Sequence, residues 1–294
     1  MRKTNYMKPQ TVVSACLALL LAAAAGHVAA AEGRNDDRSR NGLRVIGLTN
    51  DGRLVSFKSR SPERTRHIGY VTGLTGADTA LVGIDFRVQN EKLYGVGNGG
   101  GVYAIDLRTA EATFVNALTV PLAGTLFGVD FNPAADRLRI VSDAGQNLAH
   151  NVNDGGVTAA NATLTYTVPP TTPVVPAAGV TAVAYTNNDL NQPTTGTTLF
   201  DLDTTLDQVV IQSPPGNGIL VPTGKLGVDA AAASGFDIYS LLEDGVTVGN
   251  VPFATIAVNG KYRFYSINLT TGQAFSLGRF DEAVIDIAIP LNQR

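Results

Sequence analysis

One six-residue word recurs along this chain. Residues 81–86 read LVGIDF and residues 126–131 read LFGVDF. Each is an apolar run interrupted by a glycine and, two places on, an aspartate. β-branched and aromatic residues suit a pleated strand, whereas glycine weakens a strand unless another backbone approaches closely there. Looser copies follow at 181–185 (TAVAY), 234–238 (SGFDI) and 283–287 (AVIDI). In register, the small residues are Gly83, Gly128, Ala182 and Gly235, with Val284 the exception. The later column holds Asp85, Asp130, Ala184, Asp237 and Asp286, at successive spacings of 45, 54, 53 and 49. Those spacings fall in the range of propeller blades.

A second pattern recurs inside the units. YAIDLRTAEA at 103–112 matches YSINLTTGQA at 265–274, and FDLD at 200–203 is a looser copy. Each unit then divides into four short strands, which in the second unit are 81–86, 92–97, 101–107 and 112–118. Turn residues such as Asn98-Gly99-Gly100 separate them. Before Leu81 there is room for three strands, at 43–49, 53–59 and 65–73, and after Phe280 for one, at 283–289. Three plus one makes a blade. A ring closed by the C-terminal strand leaves no open seam between first and last blades. The expectation is an all-β propeller of five four-stranded blades over 42–294, with the repeated word on the strand nearest the axis. A β-sandwich accounts for strand alternation, but not for the fivefold word or the divided terminal blade.

The remaining sequence bounds the setting. Arg2, Lys3 and Lys8 precede an apolar run from Val12 to Ala25, and small residues follow at 28–31. This is the pattern of a signal peptide (1–31) cleaved near Ala31, so the chain is expected in the periplasm or outside the cell. Val13-Ser14-Ala15-Cys16 resembles a lipoprotein box, but nine apolar residues follow the cysteine, which favours ordinary cleavage. Residues 32–41 (EGRNDDRSRN) read as a disordered polar tether. Cys16 is the only cysteine, so the cleaved chain has no disulfide, thiolate ligand or thiol nucleophile. Without the three leader cations, 19 Lys and Arg face 25 Asp and Glu, a formal −6. That argues against nucleic acid as a partner. No segment after the leader is long and apolar enough for an integral membrane span.

Two stretches, FGVDFNPAADRLRIVSDAGQNL (127–148) and TTLFDLDTTLDQVVIQSPPGNGILVPTGKLGVDA (197–230), carry a further signal. Through them the chain, over roughly 43–290, resembles a bacterial secreted family known as domain of unknown function 4394. The resemblance implies a β-propeller-like fold. It implies no activity, substrate or catalytic residue.

The candidate binding residues are Asp85, Asp130, Asp237 and Asp286. If they converge on the axis, two roles are open. Each can accept backbone N–H bonds and staple adjacent blades, or together they can hold a hard cation such as Ca²⁺ through carboxylate oxygens. Close, unshielded carboxylates repel and raise each other's pKa, which favours a hydrogen-bonded set. The other motifs read as structure. Gly95–Gly100 fits G-x-G-x-x-G, but a strand follows where pyrophosphate binding needs a helix N-terminus. Asp201, Asp203 and Asp207 lack the glycine and glutamate of a calcium loop, since Leu206 and Gln212 stand there, and 151–156 (NVNDGG) fails likewise. Only His67 and His150 remain after the leader, too few for a three-His zinc site. His150 with Ser142 and Asp143 would need to assemble through space, without a G-x-S-x-G elbow. Residues 167–179 (TVPPTTPVVPAAG) read as a long connection between blades. Nine tyrosines without any tryptophan give a weak carbohydrate signal.

The functional expectation is a non-catalytic ligand-binding or interaction module. Its partner would be a small polar ligand or an envelope or extracellular protein, and it needs no cofactor beyond a candidate Ca²⁺. The alternatives are a metal-assisted hydrolase or lactonase-like enzyme using the channel aspartates, and a structural envelope or matrix protein.

Overall fold

The computed structural model describes residues 42–153, 155–166, 174–191 and 196–293. The expected signal peptide (1–31), the tether (32–41) and residues 167–173 of the proline-rich connection lie outside them.

Strands buried on both faces read as near-continuous apolar runs, while strands with one wet face alternate. Both kinds occur in each repeat unit. In the second unit, β4 (Leu81–Arg87) and β5 (Lys92–Gly97) are almost wholly buried. They are followed by β6 (Gly101–Ile105) and β7 (Ala112–Ala117), the latter mostly exposed. The four pair antiparallel in sequence order. The third unit repeats this with β8 (Phe127–Asn132), β9 (Arg137–Ser142), β10 (Asn147–His150) and β11 (Thr158–Ala160). The fifth does so with β18 (Ser234–Glu243), β19 (Val246–Val258), β20 (Lys261–Ile267) and β21 (Ala274–Arg279).

The first blade is the divided one. β1 (Arg44–Thr49), β2 (Arg53–Lys58) and β3 (Ser61–Tyr70) are completed on their inner side by β22 (Val284–Ala288). The closing pair is antiparallel, with Ile46 opposite Ala288, Gly47 opposite Ile287 and Leu48 opposite Asp286.

The fourth blade holds β14 (Val180–Tyr185), β15 (Leu199–Asp203), β16 (Gln208–Gln212) and β17 (Ile219–Lys225). Two short strands extend its outer edge: β12 (Thr165–Tyr166) pairs parallel with β17, and β13 (Val175–Pro176) pairs with β12. Thus Val175 and Pro176, within the stretch read as a connection, join a sheet. Proline's missing donor is tolerable there because β13 is an edge strand.

Five apolar clusters occupy the five spaces between neighbouring blades. Ile46, Leu54 and Ile84 join the first to the second; Val96, Phe131 and Ile140 join the second to the third. Val141, Val183 and Leu199 join the third to the fourth; Phe200, Phe236 and Ile256 join the fourth to the fifth. Phe57, Phe253, Phe264 and Phe280 close the circle between fifth and first. In that last seam Phe57 meets Phe264 edge-on at 5.1 Å, and Phe253 stacks on Phe264 at 5.0 Å. Such pairs add about 1 kcal/mol each beyond burial. Among the described residues, no helix is long and apolar enough to cross a membrane.

Candidate functional site

The repeated word lies on the innermost strand of every blade. There the backbones come so close that a side chain does not fit. A Cβ on Gly128 would stand 2.7 Å from the Ala182 Cα, and one on Gly235 would stand 2.4 Å from the Asp286 Cα. These contacts reach across the third–fourth and fifth–first seams, and they explain the glycine column as a hub requirement.

The aspartates beside these glycines are buried: Asp85, Asp130, Asp237 and Asp286 are all under 8% exposed. Each accepts an N–H from the next blade. Asp85 takes that of Phe131 at 2.7 Å, Asp130 that of Tyr185 at 3.1 Å, Asp237 that of Ile289 at 2.5 Å and Asp286 that of Ile84 at 2.8 Å. Four of five seams are stapled this way. The fourth–fifth seam is the exception because Ala184 occupies the column. It is held instead by Thr181 and Ser234, whose hydroxyls lie 2.7 Å apart, and by Asn188, whose amide donates to the Ile238 carbonyl.

Three of the four also converge. Asp85, Asp130 and Asp237 each present an oxygen within 4.8 Å of the others'. Such a set can hold a hard cation, because carboxylate oxygens at this separation match its ligand shell. Burial pushes the carboxyls of Asp85, Asp130 and Asp286 well above the usual range, neighbouring aspartates push further, and the backbone N–H bonds oppose both. Burial raises Asp237 to about 7 against the N–H groups of Ile289 and Ile238. At neutral pH the hub therefore carries protons as well as charge.

The other candidates do not form sites together. Gly95–Gly97 end strand β5 and Asn98–Gly100 form the turn of the β5–β6 hairpin, with Gly100 at φ 96°. Asp203 caps its turn by accepting from the Thr205 and Leu206 N–H groups, and Asp207 accepts from Ala230. Asp201 faces elsewhere, buried in the third–fourth seam. His150 is fully buried, with Nδ1 3.0 Å from the Thr158 hydroxyl and Nε2 2.9 Å from the Asn116 amide oxygen. Burial, with Arg137 nearby, lowers its pKa to about 4, so it is neutral. Ser142 donates to the Ala123 carbonyl and Asp143 accepts from Thr125, so no triad assembles around His150. His67 is a surface residue beside Arg53 and Glu282.

Sequence reading missed a cleft. Strands β18 and β19 run 10 and 13 residues, longer than the 5 to 7 of most others, and their hairpin turns at Asp244-Gly245. It meets the segment after β22. The Tyr239 hydroxyl donates to the Gln293 carbonyl and accepts from its N–H; Gln293 in turn bonds the Arg44 backbone. Between them lies a cleft of about 670 Å³ lined by Tyr239, Leu241, Leu242, Glu243, Asp244, Gly245, Asn292 and Gln293. An Asp-Gly turn signal was present at 244–245, but the overhang shows only when this hairpin's length is set beside the others.

The family described as a domain of unknown function (DUF4394) matches residues 53–288. No curated protein matches the sequence. Among solved structures, the chain is similar to a structural genomics protein of unknown function from Bacteroides thetaiotaomicron, at 12% identity and a TM-score of 0.42. That likeness covers 86% of this chain and 66% of the other. It is also similar to an auxiliary nutrient binding protein from Bacteroides ovatus, at 12% identity and a TM-score of 0.39, over 76% and 56% of the two chains. The Dos1 propeller gives 12% and 0.39, over 81% and 62%. The chain thus spans two thirds or less of each of these three.

Proposed function

We propose, from the premise that the chain belongs to the DUF4394 family, that it is an exported, non-catalytic module binding a small polar ligand in the cleft under the fifth-blade hairpin. The cleft carries this reading. Its volume of about 670 Å³ lies within the range of small-molecule sites, roughly 300–1,000 Å³. Its wall mixes Tyr239, Leu241 and Leu242 with the amides of Asn292 and Gln293 and the carboxylate of Asp244. The hub aspartates support the non-catalytic part, because each is committed to a hydrogen bond across a seam. Export rests on the leader-like run at 1–31.

The test is a thermal-shift screen of the purified chain against sugars, polyols, amino acids and short peptides, repeated on Leu242→Arg. Binding to the folded state raises Tm with ligand concentration. The expected result is a compound that stabilises the native chain and has no effect on the variant. A screen without any stabilising compound, or one in which the variant responds equally, contradicts the reading.

A second reading rests on the 4.8 Å convergence of Asp85, Asp130 and Asp237: a cation held at the hub, which would supply the metal for a hydrolase or lactonase-like reaction. Elemental analysis of the purified chain and Tm with and without millimolar Ca²⁺ decide it. A stoichiometric metal and a raised Tm support this reading; a metal-free, unresponsive protein removes it.

A further inference from the structure

The third–fourth seam buries a carboxyl that no protein group hydrogen-bonds. Beside its apolar cluster, it encloses a set of polar side chains drawn from both walls. Arg139, on β9, is only 6% exposed. Its Nε donates to the Tyr185 hydroxyl at 3.3 Å, and its Nη1 donates to the side-chain oxygens of Asn147 at 2.6 Å and Asn161 at 2.7 Å. Its third nitrogen, Nη2, bonds no protein group among the described residues. Asn147 and Gln212 both donate to the Pro215 carbonyl, which ties the two blades together.

Opposite Arg139 stands Asp201, on β15. It is 0% exposed, and neither carboxylate oxygen has a protein hydrogen-bond partner. The Gln212 side-chain oxygen, on the neighbouring strand β16, is buried and unpartnered as well. Burying a carboxyl with no hydrogen-bond donor is unfavourable unless something else satisfies it. Burial pushes the Asp201 carboxyl well above the usual range, Arg139 opposes this and Asp203 adds to it, and Asp201 and Arg139 make no direct ion pair. Three buried acceptor oxygens, two on Asp201 and one on Gln212, are therefore left without a protein donor in the seam that Arg139 also enters.

We propose that this seam is an internal hydration site, in which ordered water bridges the Asp201 carboxylate to Arg139 Nη2 and satisfies the Gln212 oxygen. Water suits the donor set better than a cation does. Each molecule supplies two donors to orphaned acceptors and one acceptor to Nη2, whereas a cation would add positive charge beside a buried guanidinium. Buried waters typically make about three such bonds and belong to the fold. The bridge also gives the two stretches that carry the family resemblance, 127–148 and 197–230, a common purpose. Arg139 and Asn147 come from the first and Asp201 and Gln212 from the second. The site is independent of the fifth-blade cleft.

The test is a high-resolution crystal structure of the full chain, paired with a double-mutant cycle. The structure is expected to show water within hydrogen-bond distance of both Asp201 and Arg139. A carboxylate bonded only to protein atoms, or an anomalous metal peak at Asp201, overturns the proposal. In the cycle, Asp201→Leu and Arg139→Leu each lower Tm, and the double variant loses clearly less than the sum, because either single variant already removes the bridge. Additive losses contradict the bridge. Should a single variant fail to fold, the wild-type crystal structure still decides.

Discussion

Gly128 has no room for a side chain. The Cβ of any other residue would meet the fourth blade's backbone at 2.7 Å from both the Ala182 Cα and the Val183 nitrogen, and backbone cannot rotate away. Gly128→Val is therefore expected to cost at least ~2 kcal/mol, read as a fall in Tm or in the urea midpoint. A variant of unchanged stability would contradict the hub packing. The aspartates beside the glycines make a prediction about pH. Their folded pKa values are raised, by burial first and then by mutual repulsion, with Asp237 at about 7. The folded state therefore binds protons more tightly than the unfolded chain, whose aspartates titrate at about 3.9. The Asp237 contribution is fully present below about pH 4 and is lost as pH rises through about 7. For Asp237 it is on the order of a few kcal/mol, since each tenfold gain in proton affinity is worth about 1.4 kcal/mol. Asp136 acts in the opposite sense: burial would raise it, but Arg87 and Asn153 more than offset that, so its contribution is lost as the medium becomes acidic. Stability measured by urea unfolding should thus fall between pH 5 and pH 8, and Asp237→Asn should flatten that slope. A profile that rises through the same interval would contradict protonated hub carboxylates. At this scale the glycine–aspartate column was legible because it recurs along the chain. Asp201 was not, because its significance depends on Arg139, which lies 62 positions earlier and meets it only across a seam.

Strands were legible where burial imposed a pattern. The three N-terminal strands expected at 43–49, 53–59 and 65–73 formed at 44–49, 53–58 and 61–70. The last begins earlier because Ser61 already pairs with Lys58 just after the turn, with a register shift between Ser56 and Lys58. The short β12 and β13 carried no readable signal, since two-residue strands lack a period. Element-scale predictions concern the two ends of β18–β22. Deleting 283–294 removes the inner strand of the first blade, the Asp286 staple to Ile84 and the Ile289 N–H that Asp237 accepts. It leaves β1 with an unpaired edge. The expected product is aggregated or much less stable by light scattering and thermal unfolding; a soluble monomer of native Tm would contradict ring closure. Shortening the β18–β19 hairpin by replacing 242–247 with Asn-Gly keeps Leu241 in the fifth–first seam and should leave the fold intact, at the cost of the Thr247 bonds to Asp189. It should abolish ligand stabilisation in the thermal-shift screen, and a variant that still binds would place the ligand elsewhere.

At the scale of the whole molecule, five sheets meet through five apolar seams, and the seams are not alike. Aromatic packing seals the fifth–first seam. A hydroxyl–amide set replaces the carboxylate staple at the fourth–fifth seam, and the third–fourth buries the Asp201 carboxyl, which has no protein hydrogen-bond partner. The number of blades and the divided first blade could be read from repeat spacing and from the count of strands at each end. The differences between seams could not, because they arise from residues in separate repeats that become neighbours only once the ring closes. Closure is thus the claim on which the staples, the cleft and the hydrated seam all depend. It is tested most directly by a disulfide between β1 and β22, which a chain expressed without residues 1–31 permits cleanly because the sequence contains no cysteine after Cys16. Ile46→Cys with Ala288→Cys places the pair at directly opposed positions. Under mild oxidation the account predicts rapid intramolecular cross-linking, seen as a faster-migrating monomer on non-reducing gels. Thiols that stay free in the folded monomer, or that link only between molecules, would contradict it.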